Sequence, residues 1–163
     1  GTHAGTIAIQ EGSISVENRN ITAGTFTADM TKIVCTDSGL PAEYATKLIG
    51  HLAADDFLNV EKFSTAKFVI SEVKAEANGE NTHVISGNLT LRDSTKNISF
   101  PAAVAITENS ITAKGKTTIN RLDWGVNYDK ANMSISEKAA SKLKNGVVSK
   151  DITISFDIKA SKK

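Results

Sequence analysis

The sequence contains little cysteine and no long apolar run, and each shortage excludes a class of protein. One cysteine, Cys35, stands among 163 residues, so an internal disulfide is impossible. Because Ile33 and Val34 precede it, this thiol is predicted to be a small buried hydrophobe rather than a nucleophile. No stretch approaches the roughly 20 apolar residues that span a bilayer, so the chain is not predicted to cross a membrane.

An excess of one charge and a cluster of metal ligands are also missing. The 19 basic and 18 acidic residues give a net charge of +1 and are scattered, whereas a nucleic-acid interface needs a concentrated basic stripe. The histidines His3, His51 and His83 are far apart, and a metal site needs several convergent ligands. The sequence therefore predicts no nucleic-acid partner, metal, cofactor or catalytic residue, and His51 is interpreted as a helix-end residue.

What the sequence has in abundance is alternation. Apolar and polar residues alternate from 152 to 159, which is the period of a strand with one apolar face. Earlier strands are predicted at 6–10, 13–16, 25–30, 67–77, 83–91, 96–107 and 110–120. The predicted turns between them are Glu11-Gly12, Glu17-Asn18, Asn78-Gly79, Arg92-Asp93-Ser94 and Glu108-Asn109. Short connections make neighbouring strands antiparallel, so residues 1–163 are predicted to form one barrel or sandwich domain.

Two segments are predicted to be helical. The first follows Pro41, and its apolar stripe recurs at helical spacing: Tyr44, Leu48 and Leu52. The second begins with the capping-box pair Ser134 and Glu137, and its stripe is Ile135, Ala139 and Leu143. Gly146 stands where this helix is expected to end. Both helices are expected to cover a barrel mouth or one side.

Four sequence blocks carry a family resemblance. The one tryptophan and one of the two tyrosines stand in segment 120–128, which is similar to the pattern R-x-x-[FWY]-G-I-x-Y. Segment 51–63 is similar to H-L-K-S-D-D-F-F-D-V-x-x-Y-P. Segment 65–68 resembles T-A-x-F, and segment 87–96 resembles G-x-L-T-I-R-G-x-T-K. In this order and spacing, the blocks resemble the YceI-like family of lipocalin-like proteins.

The resemblance implies a fold, a ligand and a location. The implied fold is mainly β, an antiparallel lipocalin-like barrel of about eight strands with one or two short helices. Its apolar interior is expected to bind a polyisoprenoid or a fatty-acid-like amphiphile, so the predicted partner is an apolar small molecule. Family members are mostly exported, usually to the periplasm, and no enzymatic activity is established for the family as a class.

The opening residues carry an expectation of their own. Segment 1–7 is similar to the family's second strand region, and no preceding strand with an aromatic residue is present. The barrel is therefore expected to lack its first strand and to leave an unpaired edge, which another chain could fill, for example in a homodimer. Because the chain begins with Gly1 rather than Met, a removed signal peptide and a periplasmic or secreted location are expected.

The predicted ligand-binding residues are apolar or aromatic positions of the helix and the strand rows: Tyr44, Leu48, Leu52, Phe57, Phe68, Ile70, Leu89, Phe100, Ala113, Trp124 and Tyr128. Small residues in these rows, Gly87, Ala102 and Gly115, indicate either space for a ligand or bends that close the barrel. The pattern leaves both interpretations open, and the resemblance favours the cavity. Trp124 and Tyr128 either line the mouth or form an aromatic corner in which Arg121 binds Asp123 or a carbonyl.

Three functional hypotheses follow from this sequence. The first is a non-catalytic carrier or store for an apolar ligand. The second is a lipid-modifying enzyme of the isomerase or cyclase type, which needs a cavity group with a perturbed pKa. The mostly apolar inward rows disfavour it, and the protein is predicted not to be an enzyme. The third is an interaction module that pairs through an open sheet edge.

Overall fold

The strands pair in the order in which they occur in the chain. The computed structural model describes residues 2–127 and 134–163. In chain order its elements are β1 (Gly5–Glu17), β2 (Asn20–Cys35), α1 (Ala42–Ala53), β3 (Thr65–Asn78), β4 (Asn81–Leu91), β5 (Ser94–Ile106), β6 (Ser110–Asn120), a 3₁₀ helix (Arg121–Trp124), α2 (Ile135–Val147) and β7 (Asp151–Ser161). The described strands form one antiparallel sheet of order β1 to β7, curled into a nearly closed barrel. The predicted mainly β, lipocalin-like fold is confirmed, with seven described strands rather than about eight.

Strands β1 and β7 are the two edges of the sheet. Within the described ranges, β1 hydrogen-bonds only to β2 and β7 only to β6. Ile7 and Ile9 of β1 are 43% and 50% exposed, because no strand lies on their outer side. The structure agrees with the open edge expected for this part of the sequence.

The predicted turn at Glu11-Gly12 is wrong, since both residues lie within β1. A register shift between Ile9 and Glu11 accommodates them as an irregularity in a long exposed strand, so the polar pair marks a bulge rather than a turn. The hairpin turn comes later, where Asn18 and Arg19 have φ of 51° and 62°. Positive φ at both central residues is typical of the tight turn that matches strand twist.

Three apolar clusters make up the core. The central cluster lies between β2 and the β4–β6 wall and contains Ile21, Ile85, Phe100, Ala102, Val104, Ile111 and Ala113. The end cluster contains Phe57, Leu89, Ile119, Trp124 and Val126. A smaller cluster of Met30, Val60 and Ala66 packs where β2 and β3 meet the loop that follows α1. The half-buried Phe68 and Ile98 contact both larger clusters and so make one continuous interior.

The two helices differ in what they cover. Helix α1 begins after Pro41, as predicted, and its last turn packs Leu52 against the end cluster. Helix α2 has the predicted capping box, since Ser134 N–H donates to Glu137 Oε2 at 2.7 Å and Glu137 N–H donates to Ser134 Oγ at 3.2 Å. Its stripe does not cover the barrel as expected, because Ile135 and Leu143 are 88% and 70% exposed. The helix runs to Val147, one residue past the expected end at Gly146.

Candidate ligand-binding interior

The inward face of β7 is apolar along its whole length. Because successive side chains of a strand point to opposite faces, one row of β7 faces the interior: Ile152, Ile154, Phe156, Ile158 and Ala160. Each of these residues is half-buried and none is fully buried. Their partners on β6, such as Ile111 and Ala113, are buried. The interior surface therefore becomes more solvent-accessible from β6 to the edge strand.

Three phenylalanine rings cross the middle of the barrel. The Phe68 and Phe100 centroids are 5.7 Å apart, and Phe100 meets Phe156 edge to face at 5.1 Å. Two glycines make room for the outer rings. A Cβ atom on Gly87 would lie 2.6 Å from Phe68 Cε2, and one on Gly115 would lie 2.7 Å from Phe156 Cε1. The space that these glycines leave is filled by the protein's own aromatic rings, which corrects their interpretation as ligand volume.

The tryptophan closes one end of the interior. Trp124 is 3% exposed, and its indole Nε1–H donates to the backbone oxygen of Leu89 at 2.8 Å. This hydrogen bond joins the 3₁₀ helix that follows β6 to strand β4 across the barrel. Gly125, with φ of 70°, ends the 3₁₀ helix in the left-handed conformation that favours glycine. Trp124 thus belongs to the buried end cluster, and it also lines a pocket between β5 and β6.

Two arginines, Arg121 and Arg92, hydrogen-bond backbone oxygens around the end cluster. Arg121 is fully buried, and its guanidinium donates to the backbone oxygens of Val126, Ser149 and Val148 at 2.6, 2.9 and 3.1 Å. Its Cζ also lies 5.4 Å from the Phe57 ring centroid. Arg121 therefore binds carbonyls, one of the two kinds of partner predicted for it in the aromatic corner, while Tyr128 of that corner lies outside the described residues.

Arg92 also hydrogen-bonds backbone around this cluster. Its Nη1 donates to the backbone oxygens of Phe57 and Gly125 at 3.1 and 3.0 Å. One side chain thus joins the loop after α1 to the end of the 3₁₀ helix. The two arginines thus join backbone segments that are far apart in the sequence at this end of the barrel.

A cleft opens in the barrel wall between β5 and β6. These strands pair only from Ala102 to Ile106 on β5 and from Ile111 to Gly115 on β6. The first half of β5 pairs with β4 alone, and the last residues of β6 pair with β7 alone. A pocket of about 350 Å³ lies between the separated halves. We call it the β5–β6 cleft; it is lined by Lys96, Asn97, Ile98, Thr118, Ile119, Asn120, Asp123 and Trp124.

The structure brings most of the predicted site residues together. Phe68, Ile70, Phe100 and Ala113 lie in or against the central cluster, and Leu52, Phe57, Leu89 and Trp124 lie in or against the end cluster. Tyr44 is 58% exposed, with Lys47 Nζ 5.5 Å from its ring centroid, and it contacts none of the three clusters. Leu48 is half-buried and also lies outside the clusters. Tyr128 lies outside the described residues.

The prediction omitted two groups that line the interior. The β7 row was missed although its alternation is the clearest in the sequence, and Ile154 and Phe156 should have been included on that signal. Ile98 was missed in the same way, although it lies two residues before Phe100 on the same inward row. The β5–β6 cleft had no sequence signal, because alternation continues unbroken on both strands where they separate.

Ionisable groups are scarce along the interior rows. From β3 to β7 the inward positions carry no Asp or Glu, and His83 extends the inward row of β4 as a half-buried residue 2.6 Å from the Thr82 hydroxyl. In the described residues there is no group of three or more side chains that could hold a metal ion. No described helix has the length and apolar character required to cross a membrane.

Among the described residues, two carboxyls have a lowered pKa, Asp29 and Asp37. Hydrogen bonds from the Thr31 hydroxyl and then its N–H lower the pKa of Asp29. The Ala4 N–H, followed by the His3 side chain, lowers the pKa of Asp37. Asp29 lies within β2 and Asp37 two residues after its end, and each carboxylate accepts a hydrogen bond from a backbone N–H group.

These features define a class: a small antiparallel barrel with a closed end and an apolar, partly open interior. The chain belongs to the YceI-like domain family, which it matches over residues 1–160. It is 31% identical over 125 residues to a UPF0312 protein of Pseudomonas paraeruginosa, covering 73% of this chain and 61% of that protein. A Pseudomonas fluorescens UPF0312 protein is 37% identical over 82 residues, covering 47% of this chain and 42% of that protein. The chain thus spans about half the length of these curated relatives.

Solved structures share the fold at low sequence identity. The Campylobacter jejuni YceI protein has a TM-score of 0.65 and 17% identity, with 97% of this chain and 85% of that chain covered. A polyisoprenoid binding domain from Saccharophagus degradans, described as implicated in plant cell wall breakdown, has a TM-score of 0.56 and 11% identity. That comparison covers 99% of this chain and all of the other. At these identities the likeness shows the barrel fold alone.

Proposed function

We propose that this protein is a non-catalytic carrier or store for an apolar ligand of isoprenoid or fatty-acid type. The observation that carries the proposal is the inward row of β7, whose apolar side chains remain half-buried from Ile152 to Ala160. The protein's own chain does not fully cover this surface. A ligand that removes it from water stabilises the complex by about 25 cal/mol per Å² of apolar surface.

Two further observations support binding rather than chemistry. The fold is shared with a domain described as polyisoprenoid-binding, and the interior rows of β3 to β7 carry no carboxylate. Asp and Glu are among the side chains that serve as general acids and bases, so their absence from these rows removes one class of catalytic group. We also propose the exported location that the family resemblance implies, which fractionation of the producing cells tests.

The direct test is to identify what the protein carries. Protein purified without detergent is extracted with organic solvent, and native mass spectrometry gives the mass and stoichiometry of any bound molecule. We expect a single apolar amphiphile that rebinds after extraction and protects the protein against thermal unfolding. Repeated recovery of empty protein that binds neither isoprenoids nor fatty acids would contradict the proposal.

A pair of variants on β7 locates the ligand. Ile154→Glu places a carboxylate on the inward row, whereas Thr153→Glu places one on the exposed face one residue away. Burying a charge against an apolar chain is costly, so Ile154→Glu is expected to abolish ligand recovery while Thr153→Glu retains it. Because Ile154 is half-buried, the variant carboxylate can reach water in the ligand-free protein. Circular dichroism checks that both variants are folded.

The open edge of β1 supports a second candidate function, pairing with another copy of the chain. No described strand covers this edge, and Ile7 and Ile9 are exposed on it. Two identical edges can pair antiparallel around a twofold axis and satisfy each other's backbone groups. Light scattering of wild type and Ile9→Pro separates the outcomes. Proline disfavours strand pairing at this position, so a dimer built on β1 dissociates, whereas a wild type that is already a monomer contradicts this candidate.

A further inference from the structure

The β5–β6 cleft lies over the apolar interior at the end cluster. Its floor consists of Ile98, Ile119 and Trp124. Ile119 and Trp124 belong to the buried end cluster, and the half-buried Ile98 contacts both larger clusters. The rim is polar and includes Lys96, Asn120 and Asp123. A molecule in this cleft thus meets polar groups at the rim and apolar side chains packed in or against the end cluster below it.

The rim offers hydrogen-bond donors to a ligand. Lys96 forms no ion pair with any residue in the described ranges, and its row leads inward to Ile98. The Asn120 side-chain oxygen accepts a hydrogen bond from Leu122 N–H at 3.1 Å, which leaves the amide NH₂ of Asn120 as a donor. An ammonium and an amide thus stand at the rim of a cleft with an apolar floor.

The charge of the rim limits the head group that it suits. Lys96 brings one positive charge and Asp123 one negative charge, so the rim is neutral overall. A diphosphate would need several cations and would be repelled by Asp123. A head group with oxygen atoms and at most one negative charge fits, because Lys96 and Asn120 can donate to it.

Resting on the proposed function, we propose that the β5–β6 cleft holds the head group of the bound amphiphile. This head group is a hydroxyl or a single carboxylate, hydrogen-bonded by Lys96 and Asn120. The hydrocarbon chain passes beside Trp124, between Ile98 and Ile119, into the interior. The cleft selects the head group, while the interior rows accept apolar chains with little discrimination.

The single tryptophan of the chain makes this arrangement measurable. Trp124 forms part of the cleft floor, and bromine on a bound chain quenches indole fluorescence only at short range. The probes are 2-bromohexadecanoic acid, with bromine beside the carboxylate, and 16-bromohexadecanoic acid, with bromine at the far end. Native mass spectrometry measures the occupancy of each acid, so that the two are compared at equal occupancy. We expect stronger quenching by the 2-bromo acid, and equal or reversed quenching would overturn the proposal.

Variants at the rim test the chemistry of the head group. Lys96→Gln is expected to weaken hexadecanoic acid binding roughly tenfold, the value of one charge-assisted hydrogen bond. Hexadecanol binding should be less affected, and Asp123→Asn should strengthen binding of the acid. Lys116→Gln is the control, since Lys116 is exposed on β6 and does not line the cleft. Equal effects of Lys96→Gln and Lys116→Gln would overturn the assignment.

Failure of the inference and failure of the proposed function give different results. If both brominated acids bind but quench equally, the ligand lies in the barrel without its head in the cleft, and only the inference fails. If neither the acids nor hexadecanol bind while an isoprenoid diphosphate does, the head-group assignment is wrong and the carrier function stands. If no amphiphile binds at all, both are wrong.

Discussion

Replacing Arg121 tests whether its buried guanidinium holds the closed end of the barrel together. In Arg121→Met the apolar stem is kept and three charge-assisted hydrogen bonds to backbone oxygens are lost. Such bonds contribute about 1.5–3 kcal/mol each. Removing the buried charge offsets part of the loss, because a buried ion carries a desolvation penalty. We expect the free energy of unfolding to fall by about 3 kcal/mol.

The measurement is urea unfolding followed by tryptophan fluorescence. Trp124 lies in the cluster that Arg121 supports, so its emission reports loss of the closed end directly. Arg121→Lys should also destabilise the fold, because one ammonium cannot reproduce the fork that reaches several carbonyls. Lys159→Met, an exposed position on β7, is the control and should change stability by less than about 0.5 kcal/mol. An Arg121→Met protein as stable as this control would refute the reasoning.

Further predictions concern backbone fit and pH. Gly87→Ala should destabilise the fold by about 1–3 kcal/mol, because the added methyl group overpacks against the Phe68 ring. Gly50 lies in open space on α1, so Gly50→Ala should stabilise the fold by about 0.5–1 kcal/mol. Thermal unfolding of the two variants compares them. The Ala4 N–H lowers the pKa of Asp37. The stability that this hydrogen bond contributes is therefore present above the unfolded-state pKa of 3.8 and is lost as pH falls through the lower folded-state pKa. The Ala4 amide proton should therefore become more protected from hydrogen exchange as pH rises through that window, once the rates are corrected for intrinsic exchange. In Asp37→Asn this pH dependence of the protection should be lost.

Local patterns predicted the elements whose residues meet their partners nearby in sequence. The β7 alternation is visible because one face meets the interior and the other meets water along the whole strand. The capping box of α2 is visible because Ser134 and Glu137 bond to each other's backbone within one turn. These interactions need no knowledge of the rest of the chain, so sequence alone reveals them.

The structural details that the sequence did not predict depend on contacts between distant segments. Trp124 is buried because its indole reaches Leu89, 35 residues earlier, and no local pattern encodes that distance. Tyr44 has the correct helical spacing, yet the orientation of α1 against the barrel leaves it exposed. The cleft depends on where β5 and β6 separate, and their alternation is the same on either side of Ala102.

The strictly sequential order of the strands has a consequence for how the barrel opens. Every described ladder joins strands that are neighbours in the chain, so either edge strand can detach by breaking a single ladder while the other ladders stay intact. Detachment of β7 would uncover the inward row from Ile152 to Ala160 while the hydrogen bonds from Arg92 to Phe57 and Gly125 stay in place. Local openings of this kind cost less than global unfolding. A long, unbranched or prenyl chain could therefore enter sideways, along its full length, instead of being threaded end-first through an opening.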